Sequence, residues 1–297
     1  MQKENLTKKL IAIQGGYGSF HEIASREYFG DNNIEIMPCD TFPEVCEACK
    51  NGKASYGIMA IENTVSGSLV FNYSLLQEYM LNIEGEIYLR IEQNLMALPG
   101  ESISDIKEVY SHHMAIAQTR VFFRDYPHIK LIESTDTALS AKEISEKKLK
   151  NTGAIAGSSA AKMYGLEIIQ RGIETNKKNY TRFLVMDNKE PDLNPDKEKT
   201  NKSSLVFMLP HTKGSLSQVL SILSFYEINL TKIQSLPIIG KEWEYLFYID
   251  LIFEDYIRYR QAVEAIRPLI SELRILGEYT KGKRKLNGNN NSDKQNT

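Results

Sequence analysis

Short apolar runs rich in β-branched residues alternate with segments of helical periodicity from about residue 9 to residue 187. A short apolar run bounded by turn residues is typical of a strand, whereas apolar residues three or four positions apart are typical of a helix. Strands that alternate with helices favour an α/β fold with a mainly parallel sheet or sheets. The predicted strands are KLIAIQG, ASYGIMAI, QNLMAL, EVYSH, IKLIES, GAIAGS and TRFLVM.

The pattern changes after a polar, charged segment, DNKEPDLNPDKEKTNK, which contains two prolines. This composition predicts an exposed linker over residues 188–202. Residues 203–280 then read as strand, helix, strand, strand, helix and strand, the order of the ferredoxin-like βαββαβ unit. Pro268 falls within the second of these helices and should kink or shorten it, because proline has no amide hydrogen to donate. Residues 281–297 are of low complexity and are expected to be disordered.

The composition excludes several classes of protein. The formal net charge of -2 gives no general electrostatic case for nucleic acid as a partner. The first residues lack the apolar stretch of a secretory signal, and no run approaches the roughly 20 apolar residues of a membrane span. We therefore expect a cytoplasmic protein without a membrane partner. Cys46 and Cys49 have C-x-x-C spacing, but they lie in one helical pattern without a second ligand pair, which favours reduced structural thiols over a metal site.

Several predicted strands run directly into a Ser, Thr or Asn that can cap the next helix. In open α/β sheets, ligands bind beyond the carboxyl ends of strands, where helix N-termini attract anions. Ser19 and Glu22 also form an ordinary capping box, and His21 stands where a third glycine would complete a dinucleotide-binding loop. Stronger candidates are AIENTVSGSL, with more polar residues than a turn requires, and YSHHMAIAQ. In the second segment Ser111 is expected to cap a helix, and Gln118 lies two turns farther along the same face. The ligand expected at these segments is a small molecule with several carboxylates.

In the segment NYTRFLVM, Thr181 and Arg182 directly precede the apolar residues of a predicted strand. A buried guanidinium destabilises a fold unless an anion or a carboxylate meets it. A negative group should therefore lie near Arg182.

Four segments in this order, AIENTVSGS, YSHHMAIAQ, AIAGSSAAKMYGLEII and NYTRFLVM, followed by the βαββαβ unit, resemble prephenate dehydratase with a C-terminal ACT regulatory domain. The resemblance covers about residues 9–279. It implies a two-lobed, periplasmic-binding-protein-like (type II) catalytic domain over residues 9–187, with the site between the lobes and the chain returning to the first lobe near 179–187. The ACT domain would occupy residues 203–280.

The resemblance also implies a lyase that converts prephenate to phenylpyruvate, water and carbon dioxide in phenylalanine biosynthesis. Aromatisation drives this reaction, so no cofactor is expected. The catalytic residues implied are Thr181, Arg182, Asn63, Ser111 and Gln118, and the further substrate-binding residues are Thr64, Ser66, Gly67 and Phe183.

The chemistry of these residue types suggests a division of roles. Arg182 would hold the carboxylate of the pyruvyl side chain by a bidentate contact. Thr181 would donate a hydrogen bond to the leaving hydroxyl, but a threonine is too weak an acid to supply the proton efficiently, so its source stays open. The sequence departs from the family pattern at Thr64, which replaces serine, and at His113, which replaces proline.

Members of the family that phenylalanine inhibits carry a GAL turn and an ESRP strand motif at an interface between ACT domains. The corresponding effector residues here are Gly214, Ser215, Leu216, Gln234, Ser235, Leu236 and Pro237. Two charged residues of the motif are lost, so inhibition by phenylalanine stays open, as do the effector and the sign of regulation. A homodimer or homotetramer is expected. The first strand begins near residue 9, which leads us to expect a monofunctional enzyme without a chorismate mutase domain ahead of it.

Three other interpretations are compatible with the same residues. Arogenate dehydratase acts on a substrate that differs by one amino group. A non-catalytic protein that binds small anions would use the same kind of cleft, since a fold does not fix a function. A protein that senses amino acids would use the ACT domain alone.

Overall fold

The computed structural model of the chain describes residues 8–189, 196–238 and 244–282. The strands are β1 (Lys9–Gln14), β2 (Ile34–Cys39), β3 (Tyr56–Asn63), β4 (Gly67–Ser68), β5 (Asn82–Arg90), β6 (Asn94–Ala97), β7 (Glu108–His112), β8 (Lys130–Ser134), β9 (Thr152–Ala156), β10 (Glu167–Gln170), β11 (Tyr180–Asp187), β12 (Lys202–Met208), β13 (Asn229–Pro237), β14 (Tyr245–Ile252) and β15 (Ser271–Tyr279). The helices are α1 (Phe20–Phe29), α2 (Phe42–Lys50), α3 (Val70–Glu78), α4 (His113–Phe123), α5 (Thr137–Lys147), α6 (Ser158–Tyr164), α7 (Ser215–Phe225) and α8 (Tyr256–Ile266).

The first two sheets are mixed rather than mainly parallel. The first sheet has the order β2-β1-β3-β11-β5, with β4 paired to β3, and the second has the order β10-β6-β9-β7-β8. Strands β1, β2 and β3 are parallel to one another, as are β7, β8 and β9, but β11 runs antiparallel to β3 and β5, and β6 runs antiparallel to β9 and β10. The predicted α/β class is thus confirmed, and the expectation of mainly parallel sheets is wrong.

Strands β2, β5 and β10 were not among the predicted strands. Strand β2 contains Pro38, which lacks a donor for a sheet hydrogen bond, and it forms an edge of the first sheet, where a proline is tolerated. Strand β5 contains Gly85 and Glu86, two residue types that are uncommon in strands, yet both residues are buried. Residues that look polar in sequence therefore form a buried strand because of what packs against them.

The third sheet has the order β13-β14-β12-β15 and is antiparallel wherever its strands pair. Together with α7 and α8 it forms the C-terminal unit, residues 202–279, whose elements follow the predicted βαββαβ order. Helix α8 ends at Ile266, and Pro268 lies in the following 3₁₀ turn, as expected for a shortened helix. Residues 271–273 begin β15 instead of continuing the helix.

The C-terminal unit packs directly on the first sheet. One buried apolar cluster contains Ile61 and Leu184 of the first sheet together with Val206, Tyr248 and Leu276 of the third. At Gly277 of β15, an added Cβ would lie 2.1 Å from the carbonyl oxygen of Ile83, so the two backbones approach closely. One face of the first sheet is therefore covered by the C-terminal unit together with helices α2 and α3.

The predicted linker over 188–202 lies partly outside the described residues, and the predicted tail over 281–297 lies almost wholly outside them. No helix of the described part is long and apolar enough to cross a membrane. All three cysteines are buried and unpaired. Burial raises the pKa of the Cys46 and Cys49 thiols to about 12, which disfavours the reactive thiolate.

Candidate functional site

A cleft of about 510 Å³ opens between the first and second sheets. Strands β3 and β11 and helices α1 and α2 contribute one wall, and α4 and α5 contribute the other. A volume of this size is typical of sites for small molecules. The polar side chains in its lining are Gln14, Ser19, His21, Asn63, Ser66, Ser68, Gln93, His112, His113, Gln118, Thr135, Asp136, Thr137 and Thr181.

Asn63 and Thr181 form the pair that links β3 to β11 at the cleft. They are direct register partners, and the Asn63 amide nitrogen donates to the Thr181 hydroxyl oxygen at 2.9 Å. The Asn63 side-chain oxygen accepts from the backbone N–H groups of Val65 and Ser66, each at 2.9 Å, which fixes the amide's orientation. Because Asn63 donates to Thr181, the threonine's own proton is available to a group in the cleft.

Gln118 joins this pair from the opposite wall. Its side chain projects from α4, donates to the Ser66 hydroxyl at 3.2 Å and accepts from Asn179 at 2.9 Å. Asn179 in turn accepts from Asn63 at 2.7 Å. The structure thus brings together four of the residues predicted from the sequence, Asn63, Ser66, Gln118 and Thr181, in one network of neutral hydrogen bonds.

Helices α4 and α5 both begin at the cleft, and a helix N-terminus carries a partial positive charge. No lysine or arginine is among the described residues that line the cleft. Helix α4 begins there with His112 as its cap and without an acidic residue in its first turn. Helix α5 is capped by Asp136, whose carboxylate accepts from the Leu139 N–H at 2.8 Å. The α4 N-terminus is therefore the better place for an external anion.

His21 of α1 stands edge-on to Phe183 and Phe42, with ring centroids 5.0 and 5.5 Å away. Its Nε2 is buried and has no hydrogen-bond partner among the described residues. Burial lowers the pKa of His21 to about 4, so the imidazole is neutral near pH 7. Burial, and then the neighbouring His113, also lowers the pKa of His112. Burial raises the pKa of Asp136, against the backbone N–H groups that it accepts from.

Arg182 does not reach the cleft, contrary to the expectation that it holds a ligand's carboxylate there. Its side chain is 3% exposed and points to the opposite face of β11, because successive residues of a strand alternate between faces. There its Nε donates to Glu86 at 2.6 Å and its Nη1 donates to Asp250. The anion expected near Arg182 is present, but it is the protein's own.

Three other sequence candidates lie outside the cleft. Ser111 is fully buried within β7 and donates to the Ile155 carbonyl at 2.6 Å, so His112 and not Ser111 caps α4. Thr64 accepts from the Tyr180 N–H at 2.9 Å and thereby fixes the start of β11. Gly67, at φ +82, begins β4 directly after the β3–β4 turn and pairs with Asn63. Phe183 does line the cleft, as an apolar wall.

Sequence analysis missed Asn179 and Gln93 and assigned no site role to His21. Asn179 lies two residues before Thr181, and in an extended segment this spacing places both side chains on the same face, which was a usable signal. Gln93, whose amide nitrogen lies 3.4 Å from the Gln118 oxygen, and His21 had no such signal. Only the folding of the two walls against each other brings them to the site.

The family model for prephenate dehydratase matches residues 11–191. Arogenate dehydratase 2 of Petunia hybrida is 34% identical over 288 residues, covering 91% of this chain and 71% of that protein. The structure of prephenate dehydratase from Arthrobacter aurescens, in complex with L-Phe, superposes with a TM-score of 0.82 at 27% identity, covering 92% of this chain and 90% of that one. A structure described as GqqA, a quorum quenching acylase, superposes with a TM-score of 0.83 at 28% identity, covering 92% and 98%. The chain belongs to the prephenate dehydratase family.

Proposed function

We propose that the cleft catalyses the decarboxylating dehydration of prephenate to phenylpyruvate, water and carbon dioxide, with Thr181 acting on the leaving hydroxyl. The proposal rests chiefly on the position of Thr181: its side chain lines the cleft, and because its oxygen accepts from Asn63, its O–H remains available to donate to a substrate there. Aromatisation of the ring provides the driving force. The protein has to bind the substrate, orient it and stabilise the departing oxygen.

The substrate's two carboxylates would be held by neutral groups. The N-terminus of α4 offers backbone N–H groups and a partial positive charge at the cleft, and the Gln118 amide lies on the same helix. Holding the ring carboxylate with a full positive charge would stabilise the ground state and oppose its loss as carbon dioxide. A cleft without a described lysine or arginine suits this step. The phenyl rings of Phe42 and Phe183 provide an apolar wall for the substrate's ring.

The leaving hydroxyl would accept a hydrogen bond from Thr181 as its bond to the ring breaks. Threonine stabilises the developing negative charge in this way. The electron pair of the broken bond between ring and carboxylate enters the aromatic ring, and the departing hydroxide takes the proton that makes it water from solvent. Its position is set by Asn63 and, through Asn179, by Gln118, so the two walls of the cleft must meet to align it. The assignment of Ser111 and Arg182 to direct catalysis is not part of this proposal, because both side chains lie outside the cleft.

Arogenate is the second candidate substrate, because the curated relatives include arogenate dehydratases such as the Petunia hybrida protein. Arogenate carries an ammonium group where prephenate carries a keto oxygen. Turnover of the two compounds by the purified chain, measured side by side at equal concentrations, distinguishes the substrates. We expect a higher kcat/KM for prephenate. A higher value for arogenate would reverse the assignment, and turnover of neither would refute it.

For the architecture, we propose that the first and second sheets are the two lobes of a periplasmic-binding-protein-like domain spanning residues 9–187, and that residues 203–280 are an ACT domain. The cleft between the two sheets and the βαββαβ element order support this division. We further propose that the ACT domain binds phenylalanine and pairs with a second copy. The relative from Arthrobacter aurescens was crystallised with L-Phe.

The candidate effector residues have positions that suit such a role. Gly214 to Leu216 lie at the start of α7, where Gly214 adopts φ +84 as the helix cap. Gln234 to Pro237 lie on β13, an edge strand of the third sheet that pairs with β14 alone among the described residues. An edge strand offers unpaired backbone groups to a second copy. Titration with phenylalanine, followed by thermal shift and by activity, tests the effector.

A further inference from the structure

We propose that Lys232 and Asp250, both in the C-terminal unit, are positioning residues for the Asn63 and Thr181 pair in the cleft. Through these two contacts the C-terminal unit would set the rate of the reaction. The kinetic part of this inference rests on the proposed function, whereas its structural part does not.

The register of β3 and β11 places two residue pairs next to each other. Asn63 pairs with Thr181 on the cleft face, and the adjoining pair, Glu62 with Arg182, lies on the opposite face. The two pairs are consecutive along both strands, so a displacement of one pair displaces the other. The pairing becomes irregular between Arg182 and Phe183, so Glu62 and Arg182 form the last regular pair before that point. Whatever holds Glu62 and Arg182 therefore holds Asn63 and Thr181.

Asp250 of β14 holds Arg182 within a sealed ion network. The Arg182 Nη1 donates to Asp250, and Nη2 donates to the Tyr279 hydroxyl at 3.1 Å. The Asp250 carboxylate also accepts from Ser204 at 2.5 Å. Asp250 and Arg182 are 4% and 3% exposed, so water does not screen their attraction. In such surroundings, loss of one charge is felt strongly by the other.

Lys232 of β13 holds Glu62 in a second, less buried contact. Its Nζ lies 2.9 Å from the Glu62 carboxylate and also donates to the Ser68 hydroxyl of β4. Lys232 thereby ties the β3–β4 turn, which contains the backbone donors that orient Asn63, to the third sheet. A cavity of about 290 Å³ adjoins this contact and leaves room for the lysine to move.

Strand β13 also carries the candidate effector residues. Lys232 and Gln234 lie two positions apart, on the same face of the strand. A ligand or a second copy that displaces β13 would therefore displace the lysine that holds Glu62. Movement of β13 in the C-terminal unit would in this way change the position of Asn63 in the cleft.

The test compares two contacts that join the C-terminal unit to the first sheet. Lys232→Met removes the contact with Glu62, and Lys232→Arg restores a cation. Arg274→Met is the matched control, because Arg274 also joins the two parts, donating to the Leu81 carbonyl at 2.7 Å, but does so away from the cleft strands. We expect Lys232→Met to lower kcat about 5- to 20-fold with KM within about twofold. Lys232→Arg should recover most of the rate, and Arg274→Met should stay within about twofold of wild type.

Asp250→Asn extends the test to the sealed network, and its expected loss of kcat is larger than that of Lys232→Met. Loss of this buried charge destabilises the fold, so the circular dichroism spectrum of the variant is compared with that of the wild type. If it does not fold, Lys232→Met alone decides. An unchanged kcat in Lys232→Met, or an equal loss in Arg274→Met, overturns the inference.

Amide hydrogen exchange separates this inference from the proposed function. The backbone N–H groups of Val65 and Ser66 donate to the Asn63 side chain, so their exchange reports its position. Exchange of a peptide covering residues 64–68 should rise severalfold in Lys232→Met and not in Arg274→Met. Should the wild type turn over neither prephenate nor arogenate, the proposed function fails, and this exchange result still supports or refutes the positioning role.

Discussion

Thr181 and Arg182 are adjacent in β11, but their side chains lie on opposite faces of the strand and in different chemical surroundings. Thr181 faces the cleft among neutral amides and a histidine that stays uncharged near pH 7. Arg182 faces the C-terminal unit among carboxylates, with Glu86 and Asp250 both within hydrogen-bond reach. The charged residue, Arg182, thus stabilises the fold, and the neutral residue, Thr181, faces the cleft. A charged residue in a sequence is therefore not by itself a sign of a catalytic role, because the two-residue period of a strand places each side chain on one face or the other.

The strongest effect on stability is expected on the face of β11 that carries Arg182. In Arg182→Met the carboxylates of Glu86 and Asp250 lose their shared partner, and we expect the free energy of unfolding to fall by about 3–5 kcal/mol. Urea unfolding followed by circular dichroism measures the loss. The double variant Arg182→Met with Asp250→Leu leaves Lys202 paired with Glu86 at 2.7 Å and should recover part of it. A loss below about 1 kcal/mol in the single variant would contradict the structural role of this face.

The second expectation concerns the cleft face. Thr181→Val removes the donor proposed for the leaving hydroxyl, and we expect kcat/KM for prephenate to fall by about 10²- to 10³-fold. Its stability should change by about 1 kcal/mol or less, since one neutral hydrogen bond is lost. Thr152→Val is the matched control, because Thr152 is also 8% exposed and also lies on a strand, outside the cleft. Retention of activity in Thr181→Val would remove Thr181 from the mechanism.

The third expectation tests whether the cleft face is neutral. The folded-state pKa of His21 is about 4, below its ordinary value of 6.5, so the unfolded chain binds a proton first as the pH falls. His21 therefore stabilises the fold less and less from about pH 6.5 down to about pH 4. Relative to His21→Phe, the wild type should lose about 2 kcal/mol of unfolding free energy between about pH 7 and about pH 5. A pH-independent difference between the two proteins would show that folding does not lower the pKa of His21, so that the imidazole becomes charged in the cleft by pH 5.

The fourth and smallest expectation concerns the link between the two walls. Gln118→Met keeps the side-chain length but loses the hydrogen bonds to Ser66 and Asn179. We expect about a tenfold lower kcat/KM, equivalent to about 1.4 kcal/mol. Gln170→Met, on the exposed edge strand β10, serves as the control and should leave kcat/KM unchanged. Equal values for both variants would mean that Gln118 does not contribute to the site.

The sequence was most informative where local chemistry decides the structure. Strand β7 was predicted with its observed bounds, and Ser19 caps α1 with the predicted contact to the Glu22 N–H. Pro268 ended α8 as expected, because a missing amide hydrogen has the same effect in any surroundings. By contrast, Ser111 was expected to cap α4, but β7 continues through it and the cap falls on His112.

The amino-acid sequence was sufficient to predict the alternation of strands and helices, the βαββαβ order of the C-terminal unit and the family, because these depend on neighbours along the chain. Tertiary structure alone decided the roles of Thr181 and Arg182. Any strand places two adjacent residues on opposite faces, but which face meets the cleft depends on what covers the other. The C-terminal unit packs on one face and supplies Asp250, more than sixty residues away in sequence, so the arginine's partner became visible only in the fold.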